Sequence, residues 1–472
     1  MEIEAITALD LPLLTLVPSW NKTILLTANA VPESSTLVLA GVLLSLVVVY
    51  LASKIGGELA NRFGLPPVLG ELVGGVVVGV SALDLLVFPE GGGDSSRSLI
   101  MTLLQTTAGL EPSAVAATFQ AQSEVISVLA ELGVIVLLFE IGLESNLKEL
   151  LAVGYQALVV AVVGVIVPFA AGTIGLMTLF HVAAIPAIFA GAALTATSIG
   201  ITSKVLSELG KLSSTEGQII LGAAVIDDVL GIIVLAVVAS LAKTGEIDVS
   251  NVIYLIISAT VFLLGAVLLG KVFNQSFVKV ASWLKTRGRL TIPAFIFAFS
   301  LAYLAAAIHL EAILGAFAAG LVLDETDERT ELDEQVRPIA DLLVPIFFVA
   351  VGAKTDLSVL NPFEPSNREG LIIASFLITI AIIGKLVTGL AVFGQLPINR
   401  LAIGVGMIPR GEVGLVFAGV GSASGALSKP LEAAIIVMVI LTTFLAPPLL
   451  RVVFPSDPLD EAIPSLKDAS NQ

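Results

Sequence analysis

Gly217-Gln-Ile-Ile-Leu-Gly-Ala-Ala-Val-Ile-Asp-Asp-Val-Leu-Gly-Ile-Ile-Val-Leu-Ala-Val-Val-Ala-Ser-Leu-Ala242 is long and apolar enough to cross a lipid bilayer, yet two neighbouring carboxylates, Asp227 and Asp228, sit near its middle. About 20 apolar residues suffice for a helix to span the hydrocarbon. A charged side chain at the centre of such a helix costs about 2.5 to 3.5 kcal/mol on insertion scales. Two of them side by side need water, a countercharge or protons, so the pair points to an ion path.

The rest of the chain fits that setting. Of 472 residues, 56% are hydrophobic and 13% charged, with a mean hydropathy of +1.02, which excludes an ordinary soluble protein. Apolar runs of about 20 residues recur without the alternation of outer-membrane strands, so the spans are helical. A net charge of -16 and a pI near 4.6 argue against nucleic acid as a partner. With no cysteine, disulfides and thiolate metal sites are excluded. The two histidines, His181 and His309, each fall at the end of an expected span and read as interfacial residues. Residues 1–35 carry Glu2, Glu4 and Asp10 and three prolines, whereas a signal peptide begins with positive charge, so they read as an external or interfacial segment.

Thirteen spans are expected, at 36–56, 67–88, 123–144, 152–180, 184–203, 217–242, 251–274, 290–308, 310–324, 338–353, 370–394, 400–424 and 431–453. Only His309 and its neighbours divide the eighth from the ninth. Sorted by loop side, thirteen Lys and Arg fall on one face and six on the other, which places the N-terminus outside and the C-terminus, with a short tail over 454–472, in the cytoplasm.

The chain also resembles itself. Pro67-Val-Leu-Gly-Glu-Leu-Val-Gly-Gly-Val-Val aligns without a gap with Ala312-Ile-Leu-Gly-Ala-Phe-Ala-Ala-Gly-Leu-Val, and Ile141-Gly-Leu-Glu-Ser-Asn-Leu147 with Val351-Gly-Ala-Lys-Thr-Asp-Leu357. Spans one to six thus pair with eight to thirteen. The displacement is an odd number of crossings, so the paired helices run in opposite directions, the inverted-topology repeat found in secondary transporters. The competing explanation is that Gly-rich apolar segments look alike by chance.

In such transporters the substrate lies near the midplane, where paired helices are interrupted. Thr195-Ala-Thr-Ser-Ile-Gly-Ile-Thr202 in the fifth span and Ile408-Pro-Arg-Gly-Glu-Val-Gly-Leu415 in the twelfth are the expected breaks. Hydroxyls, glycines and a proline loosen backbone hydrogen bonding there, freeing carbonyls to act as ligands for a small cation. Taken alone, Thr197 and Ser198 would read as ordinary helix packing through small polar residues; opposite Asp227 and Asp228 in the matching break, they read as part of a site. Between Glu369 and Arg400 the only charge is Lys385, which at that depth needs a carboxylate partner or must lose its proton, and Asp227 is the natural candidate. Arg410 and Glu412, in the second break, pair with each other or compensate exposed helix ends, with direct contact to the ion as the alternative. Glu71 and Glu140 lie deep in apolar runs, as a second ion route or as makers of fold-supporting hydrogen bonds.

Ala224-Val-Ile-Asp-Asp-Val-Leu-Gly231, Thr195-Ala-Thr-Ser198, Leu138-Phe-Glu-Ile-Gly-Leu-Glu144, Pro345-Ile-Phe-Phe-Val-Ala-Val-Gly352 and Pro409-Arg-Gly-Glu-Val-Gly414 together resemble the monovalent cation:proton antiporters. The branch is the one holding NapA-type sodium/proton and Kef-type potassium/proton systems. The resemblance implies an all-α polytopic membrane protein of the NhaA/NapA-like antiporter fold, with about 13 transmembrane helices in inverted six-helix repeats and two broken crossing helices. It implies a homodimer with scaffold helices over 36–144 and 290–353, ion-transport core helices over 152–242 and 370–453, and a linker helix at 251–274. Asp228 would carry the ion, Na+ first, or the proton. Asp227 would pair with Lys385, and Thr197 and Ser198 would add oxygens beside the carrier. An Asp-Asp pair with an intramembrane lysine resembles the electrogenic subgroup, while Arg410 and Glu412 resemble residues also prominent in electroneutral relatives. No cofactor is implied, and the partners are monovalent cations, protons and membrane lipid. Roles in salt tolerance and pH homeostasis follow, in a bacterial cell membrane or, as the alternative, a thylakoid or other internal membrane.

Rival classes make different demands. A channel uses rings of charge from several subunits. An aspartyl protease needs two acids facing each other, whereas neighbours on one helix point about 100° apart. Against a sodium-coupled solute symporter, the expected site is thinly polar without an aromatic or amide-rich lining, which argues for a bare ion, and within the family potassium stands as the alternative to sodium.

Overall fold

Backbone in hydrocarbon must satisfy its own hydrogen bonds, and every regular element among the described residues is a helix. The computed structural model describes residues 35–454 apart from 90–92, 110, 245, 327, 365–366 and 394–397. The expected external segment over 1–35, but for Ser35, and the tail after Phe454 lie outside the described residues.

The helices are α1 (Ser35–Arg62), α2 (Pro67–Val78), α3 (Leu99–Ala108), α4 (Pro112–Glu144), α5 (Leu147–Ala152), α6 (Gly154–Leu179), α7 (Ala184–Ala193), α8 (Ile199–Glu208) and α9 (Thr215–Thr244). They continue with α10 (Val249–Trp283), α11 (Thr291–Ala307), α12 (Ala312–Asp324), α13 (Arg329–Ala353), α14 (Arg368–Leu390), α15 (Arg400–Gly406), α16 (Glu412–Ala423) and α17 (Lys429–Val453). Eight of these are long and apolar enough to cross a membrane, and shorter apolar helices lie between them.

Several expected boundaries move, each for a physical reason. The run expected over 67–88 is helical only to Val78; beyond it the chain folds back, with the Leu85 and Leu86 amides both donating to the Val78 carbonyl. Leu86, Val87 and Phe88 are nevertheless at most 1% exposed. Their apolarity records burial rather than helix, two things that an apolar run alone does not separate. The third span begins at Pro112 rather than 123, with Pro at the first helical position where its missing N–H costs nothing. Its polar first turns are satisfied laterally: Gln122 Nε2 donates to Ser45 Oγ on α1 at 2.7 Å. The tenth begins at Arg329 rather than 338, its charged first turns held by Arg329–Asp324 at 2.6 Å and Arg337–Asp333 at 2.9 Å. The seventh extends to Trp283. An additional helix, α3, is capped by the Ser98 side chain and closed by Gly109 at φ 64°. The division between α11 and α12 falls at His309, whose φ of 65° ends one helix and turns the chain into the next.

Lipid tails are as apolar as leucine, so helices here associate through close packing rather than water exclusion. The sequence supplies that through paired glycines. A methyl group on Gly56 of α1 would lie 2.1 Å from the Gly70 carbonyl oxygen of α2, and one on Gly70 would lie 2.0 Å from that of Gly56. Gly142 of α4 and Gly320 of α12 meet the same way. Overpacking costs about 1 to 3 kcal/mol, and a clash with backbone on both sides belongs at the upper end. Gly70→Ala is therefore expected to lower the melting temperature in detergent; an unchanged melt would show that α1 and α2 separate freely.

Packing divides into two sets. Helices α1, α2, α4, α11, α12 and α13 contact one another extensively, as do α6, α7, α9, α14, α15, α16 and α17. Helix α8 joins them, touching α2 and α4 in the first set and α9 and α17 in the second.

Candidate functional site

Both expected breaks are present. Helix α7 stops at Ala193 and α8 starts at Ile199, leaving Leu194 to Ser198 outside regular helix; α15 stops at Gly406 and α16 starts at Glu412, leaving Met407 to Gly411. The two breaks meet. The Ser198 amide donates to the Pro409 carbonyl at 2.8 Å, Thr197 Oγ1 to the Met407 carbonyl at 3.2 Å, and Thr202 Oγ1 to the Gly406 carbonyl at 3.0 Å. Arg410 Nη1 donates to the Ala196 carbonyl at 2.6 Å, and Thr443 of α17 donates to the Arg410 carbonyl.

These bonds alter one expectation. The Ala196, Gly406, Met407, Pro409 and Arg410 carbonyls are engaged at the crossing, so they are not free to act as ligands in this arrangement. Ser198 Oγ and Asp227 Oδ1 are buried with no hydrogen-bond partner among the described residues. Fully buried, Arg410 lays its guanidinium on a carbonyl just past the C-terminal end of α7, where the helix dipole is negative. Its Nε and Nη2 are unpaired among the described residues. The side chain of Glu412 lies outside the described residues.

Helix α9 brings the carboxylates to this crossing, because it contacts all four half-helices. At Gly231, one turn beyond the acids, a methyl would lie 3.9 Å from both Ala196 Cβ and Val413 Cγ1, which places the two breaks side by side against α9. Asp227 and Asp228 are 0% and 3% exposed. Asp227 Oδ2 lies 3.1 Å from Lys385 Nζ of α14, both side chains being fully buried, as expected. Lys385 also feels the charges of Asp228 and Arg410, and Arg410 that of Asp227, so the four form one electrostatic group. Two residues that the sequence reading passed over complete it. Gly164 of α6 leaves room for the lysine head, since a methyl there would lie 3.1 Å from Nζ. Thr443 anchors the second break, and Thr442 and Thr443 are the only hydroxyls in α17, the signal by which it was findable.

Glu71 and Glu140 stand apart from this group. Glu71 has a partner the sequence did not reveal: Ser53 Oγ of α1 donates to it at 2.8 Å, a fold-supporting bond between α1 and α2. Glu140 faces a separate cavity with Glu144, Lys204, Arg337 and Asp341, so its neighbours come from three helices distant in sequence.

A buried acid–base pair where two interrupted helices meet, in an all-helical membrane chain, defines a protein of the secondary-transporter class. The transmembrane sodium/hydrogen exchanger family model matches residues 43–454, and the chain belongs to that family. It is 66% identical over 430 residues to the high-affinity Na+/H+ antiporter NhaS3 of Synechocystis sp., covering 91% of this chain and 93% of the relative. It is 32% identical over 413 residues to the Na+/H+-K+ antiporter GerN of Bacillus cereus, covering 87% and 95%. Among solved structures, the sodium proton antiporter MjNhaP1 of Methanocaldococcus jannaschii matches with a TM-score of 0.58 at 16% identity, covering 88% of this chain and 96% of that one, a likeness of fold.

Proposed function

We propose that this chain is a secondary active transporter that exchanges a monovalent cation, sodium first, for protons by alternating access. The observation that carries the reading is the fully buried Asp227–Lys385 pair, with Asp228 beside it, at the crossing of the two interrupted helices. Family membership and the activity of the relative NhaS3 support it.

The chemistry is competition for one carboxylate. A bare charge is costly to carry through an apolar barrier, so Asp228 moves only when protonated or holding a cation. A proton and a sodium ion cannot both neutralise it, and exchange becomes obligatory. Ser198, with its unpaired Oγ, supplies an oxygen beside the carrier, and Thr197 another. Arg410 holds the two breaks together. Lys385 releases a proton when Asp227 no longer compensates it, which makes each cycle electrogenic.

The finer architecture belongs to the same proposal: thirteen crossings in inverted six-helix repeats, with the N-terminus outside and the C-terminus in the cytoplasm of a bacterial cell membrane. Residues 36–144 and 290–353 form a scaffold that pairs two copies, 152–242 and 370–453 form a core that moves against it as an elevator, and 251–274 link them. The two packing sets, joined chiefly through α8, support this division.

The test is proton flux in proteoliposomes with cation and membrane voltage varied independently. Saturable, sodium-driven alkalinisation or acidification that reverses with the gradient is expected; sodium flux with no opposing proton movement at any pH overturns the reading. Potassium in place of sodium, named in the GerN activity, separates the two cations in the same assay.

A further inference from the structure

The cavity at Glu140 belongs to neither break. It measures about 260 Å³ and opens where α4, α8 and α13 meet, lined by Glu140, Glu144, Lys204, Arg337 and Asp341 among others. Asp333 stands at its edge, and single carboxylate oxygens of Glu140, Glu144 and Asp333 all lie within 4.8 Å of one another. That spacing admits one ion at about 2.3 to 2.6 Å from each oxygen, the range of calcium.

Glu140 is the informative member. It is 8% exposed, lines the cavity, and has no hydrogen bond or ion pair among the described residues. Arg337 binds its neighbours instead, Glu144 at 3.4 Å and Asp333 at 2.9 Å, from a side chain that is 55% exposed. Ser207 Oγ donates to the second oxygen of Glu144 at 2.9 Å, fixing it toward α8. Four carboxylates, Glu140, Glu144, Asp333 and Asp341, face two cations, Lys204 and Arg337, so carboxylates outnumber cations by two. An all-oxygen donor set selects hard cations over zinc or copper.

We propose that Glu140, Glu144 and Asp333 form a binding site for a hard divalent cation of the calcium class, distinct from the transport site at Asp228. Occupancy displaces Arg337 toward solvent and ties α4 to α13. The site does not depend on the exchange reading, because its ligands lie outside the crossing of the breaks.

Equilibrium binding of radioactive calcium to the purified full chain in detergent, in a buffer free of sodium and potassium, tests it. One ion per chain is expected, with an affinity of about 0.1 to 1 mM, the weak end for oxygen sites. Glu140→Gln should weaken binding by about tenfold or more, since affinity follows ligand charge count. Arg337→Gln should tighten it by removing the competing cation, and remains informative if the first variant folds poorly. No saturable binding by the wild-type chain, binding unchanged by Glu140→Gln, or no tightening in Arg337→Gln overturns the site.

Discussion

Asp228→Asn is expected to reduce cation-driven proton movement in proteoliposomes to the level of empty vesicles, while the protein still elutes as a folded species. The amide keeps the shape of the side chain but can neither hold a compensating cation nor release a proton, so both halves of the cycle lose their carrier at once. The acid sits 3% exposed on α9, against four half-helices. A pH-sensitive dye inside the vesicles reads the result directly. Exchange at the wild-type rate in this variant would remove Asp228 from the mechanism.

Lys385→Ala should act first on stability. Removing one partner of a buried ion pair strands the other charge, at a cost of about 3 to 5 kcal/mol in proteins where it has been measured. Here Asp227 would be left buried with Oδ1 already unpaired. The melting temperature in detergent should fall by many degrees, and the double variant Asp227→Asn with Lys385→Met should recover most of the loss, because an uncharged pair leaves nothing stranded. If the single variant melts like the wild type, the two charges are not coupled. In the double variant any surviving exchange should also respond differently to voltage, since the lysine proton no longer moves; an unchanged electrical response would take Lys385 out of the proton count.

Much of the site was legible because membrane burial makes charge rare. Lys385 is the only charge between Glu369 and Arg400, so the need for a carboxylate partner or the loss of its proton followed from cost, with Asp227 as the natural candidate. The breaks were legible for a related reason: Thr195 to Ser198 and Pro409 to Gly411 concentrate hydroxyls, glycine and proline where uninterrupted helix would be cheapest. The bonds between the breaks were not. That Arg410 would reach the Ala196 carbonyl, 214 positions away, depends on how the two segments cross. The end of α2 at Val78 was hidden because residues 86–88 are buried by neighbours rather than by helix geometry. The surroundings of Glu140 were equally invisible, since α4, α8 and α13 converge on it from distant parts of the chain.

By itself the sequence determined that this chain lives in a bilayer, which positions interrupt its helices, and that Lys385 needs a carboxylate partner or must lose its proton, because in hydrocarbon each unpaired charge or backbone group carries a cost too large to leave unanswered. Only the tertiary structure decided which carbonyls remain engaged at the crossing, which hydroxyl is left without a partner, and that a second group of carboxylates gathers away from it. Those outcomes rest on contacts of a few ångströms between helices distant in sequence, and no local pattern of residues records which helix arrives on the other side.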